Sequence, residues 1–248
     1  MRILIVIPVS SSKLNKPTER YALKYVSAGT KVEVINLKNA PESIESHYDS
    51  AVAAPPLVEA TIQAERKGYD AVVVACFDDP GLHAARERTS IPVLGLGETS
   101  MTIATLLGSK FAVISTGKNS RAIYERKAAE LGLIKRLAYS SGIDIAVPKL
   151  MEEEAKTKQL LIEEARKAID NFGAEVIVLG CGGMIGFSEE LSKALKAPVI
   201  DPLLVTLKMA ETSVALGLRH SKAWFYNIPP HKREASSHLA GTDRSNHR

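Results

Sequence analysis

The chain is short of anything that staples, spans or steers. Among its 248 residues only Cys76 and Cys181 are cysteine, too few for a disulfide framework. They form no CxxC and have no metal-like spacing to histidine, and His47, His83 and His220 do not cluster, so no metal is expected. A reduced, cytoplasmic compartment fits this usage. Long apolar runs are missing as well. The opening Met1-Arg2-Ile3-Leu4-Ile5-Val6-Ile7-Pro8 is too short for a membrane span and lacks the small-residue end of a cleavable signal, so it reads as a first buried strand. Nor is there an excess of one charge where a core would form. From Arg219 on, six basic residues (Arg219, Lys222, Lys232, Arg233, Arg244, Arg248) against Glu234 and Asp243 account for the whole formal charge of +4. The preceding 218 residues are balanced, and no basic stripe argues for nucleic acid. With 45% hydrophobic and 24% charged residues, what remains is an ordinary soluble chain with enough length for one large or two small domains.

Buried-strand patterns alternate with helical ones. Strands are expected at 2–7, 31–36, 71–76, 92–95, 111–115, 136–145, 175–180 and 198–201. Helices are expected at 18–28, 52–68, in a short piece after residue 76, and at 100–107, 119–131, 151–171, 187–195 and 203–217. This order implies an α/β fold of parallel sheets covered by helices, with sites at the C-terminal ends of the strands.

One repeat organises the chain. GYDAVVVACFDDPGLHAARERTSIPVLG (68–95) lies beside GAEVIVLGCGGMIGFSEELSKALKAPVID (173–201). Gly173 follows Gly68 by 105 residues, Cys181 follows Cys76 by the same 105, and Pro198 follows Pro92 by 106. Each copy is a strand, a cysteine turn, a helix and a proline-led strand. The shared cysteine is not a generic feature of such units. Two similar Rossmann-like lobes related by a pseudo-two-fold axis are expected, the second inserted in the first. Residues 1–104 with 207–230 would form one lobe and 105–206 the other, leaving 231–248 as a disordered tail.

Taken alone, Gly180-Cys181-Gly182-Gly183-Met184-Ile185-Gly186 passes for a dinucleotide loop, with Asp201 about 20 residues on as a ribose-binding acid. Too little chain follows it to complete the usual nucleotide-binding sheet. The first copy, Ala75-Cys76-Phe77-Asp78-Asp79-Pro80-Gly81, drops most of the glycines and keeps the cysteine. A turn maintained for phosphate would do the reverse, so the working part is the thiol.

Two thiols at matched strand ends, facing across a pseudo-dyad, can stand on opposite faces of one carbon. One removes a proton and the other returns one, which is racemisation of a carbon acid. Cysteine suits this, because a helix N-terminus lowers its reference pKa of about 8.5, and a helix is expected just after each cysteine. The bland alternative is two core-lining cysteines.

These segments carry a resemblance. SIESHYDSAVAAP (43–55), ACFDDPGLHAARE (75–87), PVLGLGE (92–98), VLGCGGM (178–184) and PVIDP (198–202) resemble hydantoin racemases of the aspartate/glutamate racemase superfamily. The resemblance implies a cofactor-independent racemase or epimerase acting on a small molecule, with Cys76 and Cys181 as its acid/base groups. The chain departs from the family's NPN-like first turn, having Ile7-Pro8-Val9-Ser10-Ser11 there.

Further substrate-binding candidates are Ser10 and Ser11 after the first strand, with Ser115 and Thr116 as their counterparts after "FAVI". Phe77, Asp78 and Asp79 follow the first cysteine; Asp78 would accept ring N–H groups, and Asp79 reads equally as an N-cap before Pro80. The Gly182 and Gly183 amides would hold an oxygen that gains charge. Glu98 and Asp201 read as caps, and the 39–56 loop with Tyr48-Asp49 as a cover or a connector. The expected substrate is a 5-substituted hydantoin or an allantoin-like cyclic ureide, and the expected assembly a homo-oligomer. The alternatives are an amino-acid racemase, a maleate- or malonate-type isomerase or decarboxylase, a thiol redox protein, and a two-lobed binding protein without catalysis.

Overall fold

A computed structural model describes residues 1–117 and 119–229; Lys118 and the 231–248 segment expected to be a disordered tail lie outside the described residues. The first half runs β1 (Arg2–Ile7), α1 (Asn15–Ala22), β2 (Lys31–Asn36), α2 (His47–Arg66), β3 (Ala71–Val74), α3 (Leu82–Arg88), β4 (Val93–Gly95) and α4 (Leu96–Leu107). The second repeats it with β5 (Phe111–Ser115), α5 (Ser120–Glu130), β6 (Leu137–Gly142), α6 (Glu154–Phe172), β7 (Val176–Leu179), α7 (Ser188–Leu195), β8 (Val199–Ile200) and α8 (Pro202–Ala215). Two four-stranded parallel sheets result, with the same order, β2-β1-β3-β4 and β6-β5-β7-β8. The expected α/β architecture and its internal repeat are what the chain forms.

The inner strands are apolar on both faces because both faces are covered. Ile3, Ile5 and Val73 of the first sheet share one core with Phe111, Val113, Val176 and Val178 of the second. The alternate residues, Leu4, Val6, Val72 and Val74, point the other way and pack with Leu57 of α2 and Ala85 of α3. Ile114, Ile177 and Leu179 likewise meet Leu161 of α6 and Leu191 of α7. Between the sheets lie α4 and α8, packed on each other. Here the copies exchange parts: α4 leaves the first sheet and packs on β7, while α8 leaves the second and packs on β3 and β4. The edge strand β4 is sealed by side chains. His220 Nε2 accepts the Val93 N–H at 2.9 Å, and Arg86 Nε donates to the Val93 carbonyl at 2.9 Å.

Helix starts differ from the sequence reading. α1 begins at Asn15 and ends at Ala22 rather than covering 18–28, since the Ser27 N–H turns to Glu211 instead of continuing a helix. α2 begins at His47 rather than 52, because Ser46 Oγ caps the Asp49 N–H and Asp49 Oδ2 accepts from the Ser46 hydroxyl in return. The expected 39–56 loop therefore stops at Ser46. α4 begins at Leu96 rather than 100, and α3 begins at Leu82, so Pro80 precedes that helix instead of opening it.

Glu211 on α8 ties the second half to the first. Its carboxylate accepts from Ser27 N at 2.8 Å, Thr30 Oγ1 at 2.6 Å, Ser27 Oγ at 3.1 Å and Lys208 Nζ at 2.7 Å. Burial alone would raise its pKa, but the Lys208 ammonium and the Thr30 and Ser27 donors outweigh that and bring it down to about 2. A depressed carboxylate stabilises the fold above its ordinary value near 4.5, and that contribution is lost as pH falls through about 2. Glu211→Gln is expected to lower stability at pH 7 by about 1–3 kcal/mol. Denaturant titrations should show the gap to the parent closing between pH 4.5 and 2; a gap independent of pH would refute the assignment.

Candidate active site

β3 and β7 end two residues short of Cys76 and Cys181, and both turns open into one cleft of about 320 Å³ lined by residues of both halves of the chain. This is where each sheet's strand order reverses, the usual place for a ligand on an open parallel sheet. The two turns touch. A Cβ on Gly182 would lie 3.1 Å from the Ala75 carbonyl oxygen and 3.3 Å from Leu96, so glycine sets how near the second turn comes to the first.

Most of the sequence candidates converge there. Cys76, Phe77 and Asp78 line the cleft with Cys181, Gly182, Gly183, Ser11, Ser115 and Thr116. Ser10 and Asp79 do not. Ser10 is spent on the loop, its N–H on the Pro41 carbonyl and its own carbonyl on Asn36 Nδ2. Asp79 turns back toward α4, where its carboxylate accepts from the Gly97 and Glu98 N–H groups; it caps that helix and not α3. Ser115 Oγ donates to the Gly180 carbonyl at 2.7 Å and lies 3.2 Å from the Tyr124 hydroxyl, which also reaches that carbonyl. Asp201 caps α8 through the Leu203 and Leu204 N–H groups, and Glu98 pairs with Arg86 at 2.7 Å.

Several lining residues escaped the sequence reading. Tyr124 stands edge-on to Phe77 at 5.1 Å between ring centroids. Lys127, which lies behind the cleft rather than in its lining, is one turn further along the same face of α5, a spacing that would have grouped the two had either been suspected. Leu14 and Pro17 of the first half, Val147, Pro148 and Met151 of the second, and Glu42 and Ile44 from the loop after β2 also line the cleft, as does Lys13, the basic residue that could be expected to fold into it.

The thiols are not poised by helix ends. α3 starts six residues after Cys76, and α7 seven after Cys181, with only a 3₁₀ turn over Gly182–Met184 between. Burial pushes Cys181 up to about 11, against the Gly183 N–H that donates to its sulfur at 3.4 Å. Burial also pushes Cys76 well above the ordinary thiol value; the Asp78 carboxylate adds to the rise, and a charge on Cys181 adds again. The expectation of pKa values lowered toward neutrality is therefore corrected. Asp78 itself is raised by burial, opposed by the nearby Lys127 ammonium. Iodoacetamide alkylation of the ligand-free protein, followed by mass spectrometry, should thus speed up about tenfold per pH unit between 7 and 10 at Cys181. Cys76, raised as well, should show the same climb with pH; a plateau at either cysteine below pH 9 contradicts these surroundings.

Comparison with known proteins adds a second line. Residues 3–210 match the family described as Asp/Glu/Hydantoin racemase. The chain is 38% identical over 234 residues to a hydantoin racemase of Paenarthrobacter aurescens, covering 94% of this chain and 99% of that one. It superposes on the allantoin racemase of Klebsiella pneumoniae with a TM-score of 0.88 at 32% identity, covering 92% and 94% of the two chains. The allantoin racemase of Pseudomonas fluorescens gives the same TM-score at 29% identity, covering 93% and 97%.

Proposed function

Because the chain belongs to the Asp/Glu/hydantoin racemase family, we propose that it is a cofactor-independent racemase of 5-substituted hydantoins or related cyclic ureides, with Cys76 and Cys181 exchanging a proton across C5. The observation that carries the reading is the pair of free cysteines at equivalent strand ends of a duplicated fold, opening into one cleft.

In the forward direction a thiolate at one cysteine takes the C5 proton and becomes a thiol. The electron pair left on C5 moves into the adjacent carbonyl as an enolate. The opposite thiol then protonates C5 from the other face and is left as thiolate, so the proton count of enzyme plus substrate is unchanged. The pair must hold one proton between the two sulfurs. Charge on Cys181 disfavours charge on Cys76, which spreads the two ionisations and widens the pH range of that state. With Gly183 N–H committed to the Cys181 sulfur, the Gly182 amide is the donor for the enolate oxygen. Asp78 accepts a ring N–H.

The cleft's charge favours a neutral ring. Among the described lining residues Lys13 is the cation, outnumbered by the carboxylates of Glu42, Asp78 and Glu152. A dicarboxylate would meet like charge there without a bidentate partner. The reading extends to lobes formed by 1–104 with 207–230 and by 105–206, supported by α8 packing on β3 and β4. It includes a homo-oligomer in the cytoplasm, supported by the exposed Trp224 and Phe225 and by two unpaired cysteines. No helix among the described residues is long and apolar enough to cross a membrane.

Cys76→Ser and Cys181→Ser are each expected to cut racemisation by about 10²- to 10⁴-fold, since a hydroxyl is too weak an acid to replace a thiol. In D₂O each variant should still exchange C5 hydrogen of one enantiomer, and opposite enantiomers for the two variants, as followed by NMR. Full racemisation by either variant would falsify the two-base scheme. For the parent enzyme, kcat/KM should be higher with an L-5-alkylhydantoin than with L-aspartate or L-glutamate. Faster turnover of either amino acid would reassign the substrate.

A further inference from the structure

The glycines of Leu94-Gly95-Leu96-Gly97 and the buried Lys127 have no part in the scheme above. They meet behind Cys76. Lys127, on α5 of the second half, places Nζ 2.8 Å from Asp79 Oδ2 and 3.1 Å from the Asp78 carbonyl oxygen. Its side chain is 15% exposed and that of Asp79 3%, so the pair is shielded from water and salt. Asp79 sits at φ +52°, a left-handed conformation that a non-glycine residue adopts at a cost. What holds it there is its carboxylate, which accepts from Gly97 N at 3.0 Å and Glu98 N at 2.8 Å as well as from Lys127.

The space for this contact is made by glycine. A Cβ at Gly95 would stand 2.3 Å from Asp79 Oδ1. One at Gly97 would stand 2.1 Å from the Phe77 carbonyl oxygen and 2.3 Å from Lys127 Cε. Neither neighbour has anywhere to go, because one is backbone and the other is pinned at both acceptors. Three turns of chain are thereby locked together: the Cys76–Asp79 turn, the start of α4, and the last turn of α5 from the other half.

The second copy has a neutral version of the same arrangement. Tyr21 on α1 donates to Asp201 Oδ2 at 3.0 Å; Asp201 caps α8 and also accepts the Gly186 N–H beyond the Cys181 turn. A helix of each half thus reaches a buried carboxylate at the start of α4 or α8, by a phenol on one side and an ammonium on the other.

We infer that Lys127 is a positioning residue for Cys76, clamping from the opposite half the turn that carries this thiol and setting its place relative to Cys181. The inference rests on the two-thiol reading, but one of its tests does not. Lys127 touches no reacting atom. Without it, Asp79 keeps a strained backbone with one fewer contact to hold it, and the Asp78 carbonyl loses its cation. A displacement of about 1 Å at a proton-transfer group is enough to cost a factor near 100 in rate.

The experiment is Lys127→Met, read three ways. Racemisation of a 5-alkylhydantoin should fall about 10- to 100-fold in kcat, with KM within about threefold of the parent. Placed in Cys181→Ser, where Cys76 is the remaining thiol, Lys127→Met should lower C5 exchange in D₂O by a similar factor. Placed in Cys76→Ser, it should leave exchange within about threefold. In ligand-free protein otherwise unaltered, iodoacetamide alkylation at Cys76 should change more than about fivefold and at Cys181 less than about twofold. Equal effects on both cysteines, or none, overturn the inference. Where the parent racemises no hydantoin, or neither serine variant exchanges, the functional reading fails and alkylation alone decides the role of Lys127. If Lys127→Met does not fold, Asp79→Asn must produce the same one-sided change at Cys76, and a two-sided change sinks the idea.

Discussion

Two strands from different sheets stop at the same place, and each is followed by a cysteine. That coincidence is imposed by the shared apolar layer of Ile3, Ile5, Val73, Phe111, Val113, Val176 and Val178, with α4 and α8 sandwiched within it. Because each of these helices packs on the sheet of the other half, neither half is covered without the other. The carbonyl of Ala75 and the Cα of Gly182 are then close enough that a single methyl group would crowd them. Interiors packed to this density transmit small displacements rather than absorbing them. The separation of the thiols is therefore a property of the whole core.

Within that frame the cleft is arranged to keep protons on. Both thiols line a largely apolar cleft under the influence of the Asp78 carboxylate, and both are driven toward the neutral form. A thiol that holds its proton tightly is a strong base once the proton has gone, which suits removal of hydrogen from a weakly acidic carbon. Raised values thus fit the chemistry, provided substrate enters with one sulfur already ionised. Lys127 stands behind this group and offsets the carboxylate of Asp78 without entering the cleft.

The sheets were legible in the sequence because their inner strands are apolar on both faces, and β1, β2 and β5 fall where the runs of β-branched residues put them. The starts of α1, α2 and α4 were not, and each miss has a physical cause. Pro55 and Pro56 were read inside α2 and lie there, but the helix starts earlier than Val52 because Ser46 caps it. Gly95 and Gly97 look like breakers of α4, but the cap for that helix is Asp79, a residue from the turn after β3. The thiols were visible through the 105-residue repeat. Tyr124 and Lys127 were not, since a tyrosine and a lysine on an amphipathic helix carry no mark of what they face until the second half is folded against the first.

The exchange of α4 and α8 also bears on how the chain is made. A ribosome delivers all four strands of the first sheet by Gly95, but the helix that covers β3 and β4 begins only at Pro202. Through the synthesis of roughly a hundred residues that sheet waits with one apolar face open, a surface that invites wrong partners. The same exchange that brings two thiols together in the finished molecule makes the nascent one dependent on protection until α8 emerges.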